Sequence, residues 1–109
     1  MRYVRHRAAV IATQVDVLPW ADAIETISGW AHARESRYVT FSNVHSTVTA
    51  AFDTRFNLAL NASDLCTADG APIAWMLRQF GARGQPRING PELMWRLLAH
   101  EDQRGGKVY

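Results

Sequence analysis

The chain has 109 residues, with 12 lysines and arginines against 10 aspartates and glutamates for a net charge of +2. Hydrophobic residues at 48% and charged residues at 20% fit one folded domain with a modest core and exclude a disordered chain. One cysteine, Cys66, excludes an internal disulfide, and His6, His32, His45 and His100 lack ligand spacing, so no metal and no cofactor is expected.

No apolar run is long enough to cross a bilayer, and the basic start Met1 to Arg7 leads into only Ala8 to Ala12 before polar residues return, which is no secretory signal. The chain reads as cytoplasmic. Its basic residues gather at Arg2, Arg5 and Arg7, which can meet an acidic membrane surface, and at Arg78, Arg83 and Arg87, which can meet phosphate; solvated surface arginine is the plainer role for both groups. Neither aromatic interleaving nor finger spacing points to nucleic acid.

Residues Ala8 to Val17, rich in small and β-branched types, read as a first strand leaving at Leu18-Pro19. Trp20, Ile24, Ile27 and Trp30 then share one face of a helix that begins at Pro19 and ends before Arg34. Tyr38 to Phe41 is a second strand that stops at Ser42-Asn43. A helix follows, with Ser46 or Thr47 as start signals and Val48, Ala51 and Phe52 as its apolar face; the segment Phe52 to Phe56 either continues or restarts it.

Leu65 to Thr67 is the third strand. It runs into Ala68-Asp69-Gly70, after which Ile73, Met76, Leu77 and Phe80 recur at helical spacing. Gly81 to Asn89 has turn character, and Gly90-Pro91-Glu92 opens a last helix with Leu93, Leu97 and Leu98 inward, closing at Gly105-Gly106. Lys107-Val108-Tyr109 reads as the opening of another strand. The alternation predicts one α/β domain over residues 1–109, Rossmann-like α/β/α layers on a mainly parallel sheet, cut off before a second half.

If the second and third strands are parallel neighbours, their polar exits open on the same edge. That edge gathers Thr40, Ser42, Asn43 and His45 from one strand exit and Asp69 and Gly70 from the other, a mixture of donors and acceptors suited to a sugar or nucleotide. Each residue also has a plainer reading: Asp69 as a helix cap, Asn43 as a turn or cap residue, His45 as a loop histidine. Arg87, just ahead of a helix start, is the best candidate for forking onto phosphate. The chain has no Walker loop, no Gly-x-Gly-x-x-Gly and no nucleophile elbow.

Three stretches, Tyr38 to His45, Asn61 to Trp75 and Arg87 to Met94, together resemble the WecG/TagA/CpsF family of bacterial glycosyltransferases in order and spacing. The resemblance implies transfer of an N-acetylmannosamine-type or related sugar from a UDP-sugar donor to a polyprenyl-diphosphate-linked acceptor, in the synthesis of a cell-surface polysaccharide or teichoic acid. It implies Asp69 as the general base, with Thr40, Ser42, Asn43, His45, Gly70, Arg87 and Gly90 around the substrate. It also implies a cytoplasmic enzyme, peripheral at the inner face of the membrane. Phe41 stands where the family often carries threonine, and family members are roughly twice as long as this chain. An unpaired edge strand would favour association with a second copy. The alternative reading is a shortened, non-catalytic module that binds a nucleotide-sugar or a partner.

Overall fold

The computed structural model describes residues 5–106, so Arg2 and the strand expected from Lys107 lie outside the described residues. The segment expected as one strand is instead a hairpin, with β1 (Arg7–Val10) antiparallel to β2 (Thr13–Asp16) and Arg7 opposite Asp16. Its turn places Ile11 at φ 55°, where a β-branched residue is strained and glycine or asparagine usually stands. Tertiary bonds replace the missing turn chemistry. The Ala12 N–H donates to Thr47 Oγ1 at 3.3 Å, and Asn57 Nδ2 donates to the Ala12 carbonyl at 3.1 Å.

Helix α1 (Trp20–His32) starts after Pro19 as expected and buries Ala23, Ile24 and Ser28. Two further strands, β3 (Val39–Ser42) and β4 (Leu65–Ala68), pair in parallel, with Val39 opposite Leu65 and Ser42 opposite Ala68. Between them run α2 (Val44–Phe52) and α3 (Thr54–Asn61). The first of these begins at Val44, not at Ser46 or Thr47, because Asn43 and Ser46 form a reciprocal capping box; the second is a restart capped by Asp53.

The inward face of α2 also differs from the expected one. Thr47 and Ala50 are buried, whereas Val48, Ala51 and Phe52 are exposed. The Thr47 hydroxyl donates to the Val10 carbonyl at 2.8 Å while accepting from Ala12, and this polar docking onto the hairpin turn sets the helix rotation. Hydrophobic periodicity carries no signal for it.

After β4 come α4 (Ala71–Gln79) and α5 (Gly90–Arg104), the latter closed by Gly105 at φ 72°. Phe80, which recurs at helical spacing in the sequence, is the exposed C-cap of α4, while Ile73 and Leu77 are buried. Paired residues of a sheet share a face, so Cys66 and Ala68 look the same way as Thr40 and Ser42. That side packs with Val10, Val15, Ile73, Ala74 and Leu77 from the hairpin and α4. On the opposite side Leu65 packs with Leu18, Ala23 and Ile88.

The chain is therefore a mixed α/β structure in which parallel pairing, expected to dominate, is confined among the described residues to β3 and β4. The hairpin is joined to this pair by Asp16. Its buried carboxylate accepts from the Cys66 N–H at 2.7 Å and takes a bidentate grip from Arg5 at 2.9 and 3.1 Å. Sequence reading did not single out Asp16. No helix among the described residues is long and apolar enough to cross a membrane.

Candidate functional site at the carboxyl edge of the parallel pair

The parallel ladder continues one step past the strands, with the Asp69 N–H donating to the Ser42 carbonyl at 3.0 Å. The two strand exits are therefore side by side. Gly70, at φ 134°, turns the chain into α4 in a conformation that disfavours every side chain, and a Cβ built there would lie 3.6 Å from that of Asn43.

Asp69 does not cap α4. Gly70 occupies the N-cap position and supplies no side-chain bond, so the first-turn amides of α4 are left without a cap and the Asp69 carboxylate is left without that task. Its one ion pair among the described residues is long, 3.9 Å to Arg87, with the aspartate side chain 23% and the arginine side chain 54% exposed. A pair so open to water is weak, and both groups keep valences for a ligand.

The loop carrying Arg87 is fastened to the end of β4. The Ile88 N–H donates to the Ala68 carbonyl at 2.8 Å, and Thr67 Oγ1 donates to the Ile88 carbonyl at 2.9 Å. Asn89 then caps α5 by accepting the Glu92 N–H at 2.8 Å. Gly90 lies against the Phe41 ring, 3.8 Å from the place its Cβ would take. Three helix N-termini, those of α2, α4 and α5, thus gather around Asn43, Gly70 and Gly90, and their dipoles favour an anion there.

The expected residues do not all meet. Asn43, Asp69, Gly70, Arg87 and Gly90 share this rim. Asn43 is also a cap, with Oδ1 accepting the Ser46 N–H at 2.8 Å, which leaves its amide nitrogen without a partner among the described residues. Thr40 and Ser42 look toward the hairpin side: Thr40 Oγ1 donates to Ser63 Oγ at 2.9 Å, and Ser42 is buried with its hydroxyl unpartnered. His45 is exposed in the first turn of α2. Cys66, buried beneath the rim, has its thiol pushed up by burial. Among the described residues no group of three or more His, Cys, Asp or Glu side chains could hold a metal ion.

A family model described as glycosyl transferase WecG/TagA/CpsF family matches residues 8–109. The chain belongs to this family. No curated protein matches it. Membership in the WecG/TagA/CpsF family supports a general glycosyltransferase role for the chain. Two contributors to this WecG/TagA/CpsF rim were not legible in sequence. Thr67 reads as an ordinary strand residue, and Gln85, which precedes Pro86 and Arg87, reads as loop; only the folded chain shows what either one bonds.

Proposed function

We propose that this chain transfers an N-acetylmannosamine-type or related sugar from a UDP-sugar to a hydroxyl of a polyprenyl-diphosphate-linked acceptor, in the building of a cell-surface polymer. In this reading the rim stands at the carboxyl edge of Rossmann-like layers. The observation that carries it is the meeting of the two strand exits, with Asp69 free of capping and 3.9 Å from Arg87.

The acceptor hydroxyl loses its proton to Asp69 as its oxygen bonds to the anomeric carbon, and the bond from that carbon to the diphosphate oxygen breaks. UDP leaves with the electron pair. Charge growing on the leaving diphosphate meets Arg87 and the bare first turn of α4, both of which favour an anion. Diphosphate binding draws Arg87 from Asp69 and leaves the carboxylate available as base. Asn43 offers its amide nitrogen to a sugar oxygen, and Gly90 borders the same opening. A single displacement of this kind inverts the anomeric centre.

The test is titration of UDP and UDP-sugars into the wild type and Asp69→Asn, followed by assay of transfer to a lipid-diphosphate acceptor. The expected result is retained UDP binding with transfer reduced by ~10²–10⁴-fold, the usual contribution of a positioned base. Equal turnover by the two proteins removes Asp69 from the mechanism, and UDP binding without turnover in either leaves a binding module.

A further inference from the structure

Arg87 sits in a segment, 81–89, that has no helix or strand, and Gly81 and Gly84 on its N-terminal side adopt φ of 106° and 75°. Such a stretch does not hold a guanidinium in place by itself, since each free residue has backbone entropy to lose on being fixed. Beyond Arg87 the chain is tied to β4 through Ile88. Before Arg87 the tie is Gln85, a residue buried at 4% exposure. Its Oε1 accepts the Leu18 N–H at 2.9 Å, and its Nε2 donates to the Leu18 carbonyl at 3.0 Å and to the Pro86 carbonyl at 2.9 Å. Arg78 adds a bond to the Gln85 carbonyl at 2.8 Å.

A carboxamide is the group this position requires. It satisfies both backbone groups of Leu18 as a neighbouring strand would, whereas an ionised glutamate of the same shape cannot donate to the carbonyl and a methionine can neither donate nor accept strongly. Leu18 lies between β2 and α1, far from Arg87 in sequence, so the bond pair stitches the hairpin exit to the loop that carries the rim cation. We infer that Gln85 is a positioning residue: it fixes the Arg87 loop against Leu18 and thereby presents the guanidinium beside Asp69 for an anionic ligand. The inference rests on reading Arg87 as the residue that holds the donor diphosphate.

The test compares wild type, Gln85→Met, Arg87→Gln and the double variant, each as the full chain, by calorimetric titration with UDP and by backbone ¹⁵N relaxation at residue 87. A positioning role predicts UDP affinity about tenfold weaker in Gln85→Met, no additional loss when Arg87→Gln is already present, and a lower order parameter at Arg87. Gln85→Glu gives the same losses. A merely structural role shows instead as the same affinity loss in both backgrounds, and that result, or undiminished affinity in Gln85→Met, overturns the inference. If wild type does not bind UDP at all, the diphosphate reading fails separately, and the order parameter decides for Gln85: a fall at residue 87 supports the stitch, and an unchanged value overturns it.

Discussion

Two of the aspartate–arginine pairs in this chain have the same chemistry and opposite situations. Asp16 is fully buried, held by Arg5 at 2.9 Å and by the Cys66 N–H at 2.7 Å. Asp69 lies at an open rim, with Arg87 at 3.9 Å and no helix to cap. Each accepting lone pair of Asp16 that meets a donor helps to hold β2 against β4, and the cost of desolvating it is offset only while those donors stay. Among the described residues no such close donors meet the Asp69 side chain, whose lone pairs stay open to a ligand. A carboxylate fully supplied with fixed donors is a poor base, and one at an open edge is a poor brace.

The largest expected effect sharpens this contrast at its functional end. Asp69→Asn is expected to lower sugar transfer by ~10²–10⁴-fold while changing stability by about 0.5 kcal/mol or less, as for surface positions without structural partners. A transfer assay and a denaturant titration on the same preparation check both halves. A large fall in stability would mean that Asp69 is a brace after all.

The mirror experiment is Asp16→Asn. Removing one partner of a buried, hydrogen-bonded pair typically costs roughly 3 kcal/mol, so the urea midpoint is expected to fall sharply. UDP affinity of the protein that remains folded should be unchanged, because the bonds of Asp16 to Arg5 and to the Cys66 N–H brace the strands and do not involve Asn43, Asp69 or Arg87. Loss of affinity without loss of stability would erase the distinction between the pairs.

How far this contrast was legible in sequence differs between its two sides. The order of strands and helices from Trp20 onward, the exits at Asn43 and Asp69, and the Arg87 turn follow from periodicity and turn residues, which are local signals. The hairpin was not legible, because Ile11 in a left-handed turn depends on Thr47 and Asn57 bonding to Ala12 from distant helices. The buried role of Asp16 was hidden for the same reason. Asp69 could be suspected, yet its release from capping depends on Gly70 taking the N-cap place, a shift of one residue that composition does not settle. Thr40 and Ser42 were expected near the ligand, but strand alternation with Phe41 at the Gly90 side turns them to the hairpin face.

Gly70 is the hinge of that difference, and Gly70→Ala is the next smaller test. The φ of 134° makes a side chain strained there although the space beside Asn43 admits a Cβ at 3.6 Å. Strain of this kind costs about 1–3 kcal/mol, and relief of it would swing Asp69 away from Asn43. The expected outcome is a moderate fall in melting temperature accompanied by weaker UDP binding. A variant with wild-type affinity would show that the rim tolerates a different turn.

A third carboxylate, Glu101, extends the comparison to pH with the smallest effect. Buried between α5 and α1, it accepts a short bond from the Ser28 hydroxyl and faces His32 Nε2 at 3.0 Å, while Arg104 donates to Ser28 Oγ at 3.0 Å. The Ser28 bond first, and His32 with it, hold the Glu101 carboxyl below the usual glutamate range against the opposing effect of burial. A group whose pKa is lower when folded adds stability above its unfolded pKa and loses it as the pH falls through the folded value. The α1–α5 junction should therefore weaken on acidification below the ordinary glutamate range and be indifferent to pH between 6 and 8 as far as Glu101 is concerned. Melting curves of wild type and Glu101→Gln across that acid range are expected to converge, since glutamine carries no proton to gain; curves that stay parallel would show that Ser28 and His32 hold the carboxylate no more firmly than water does.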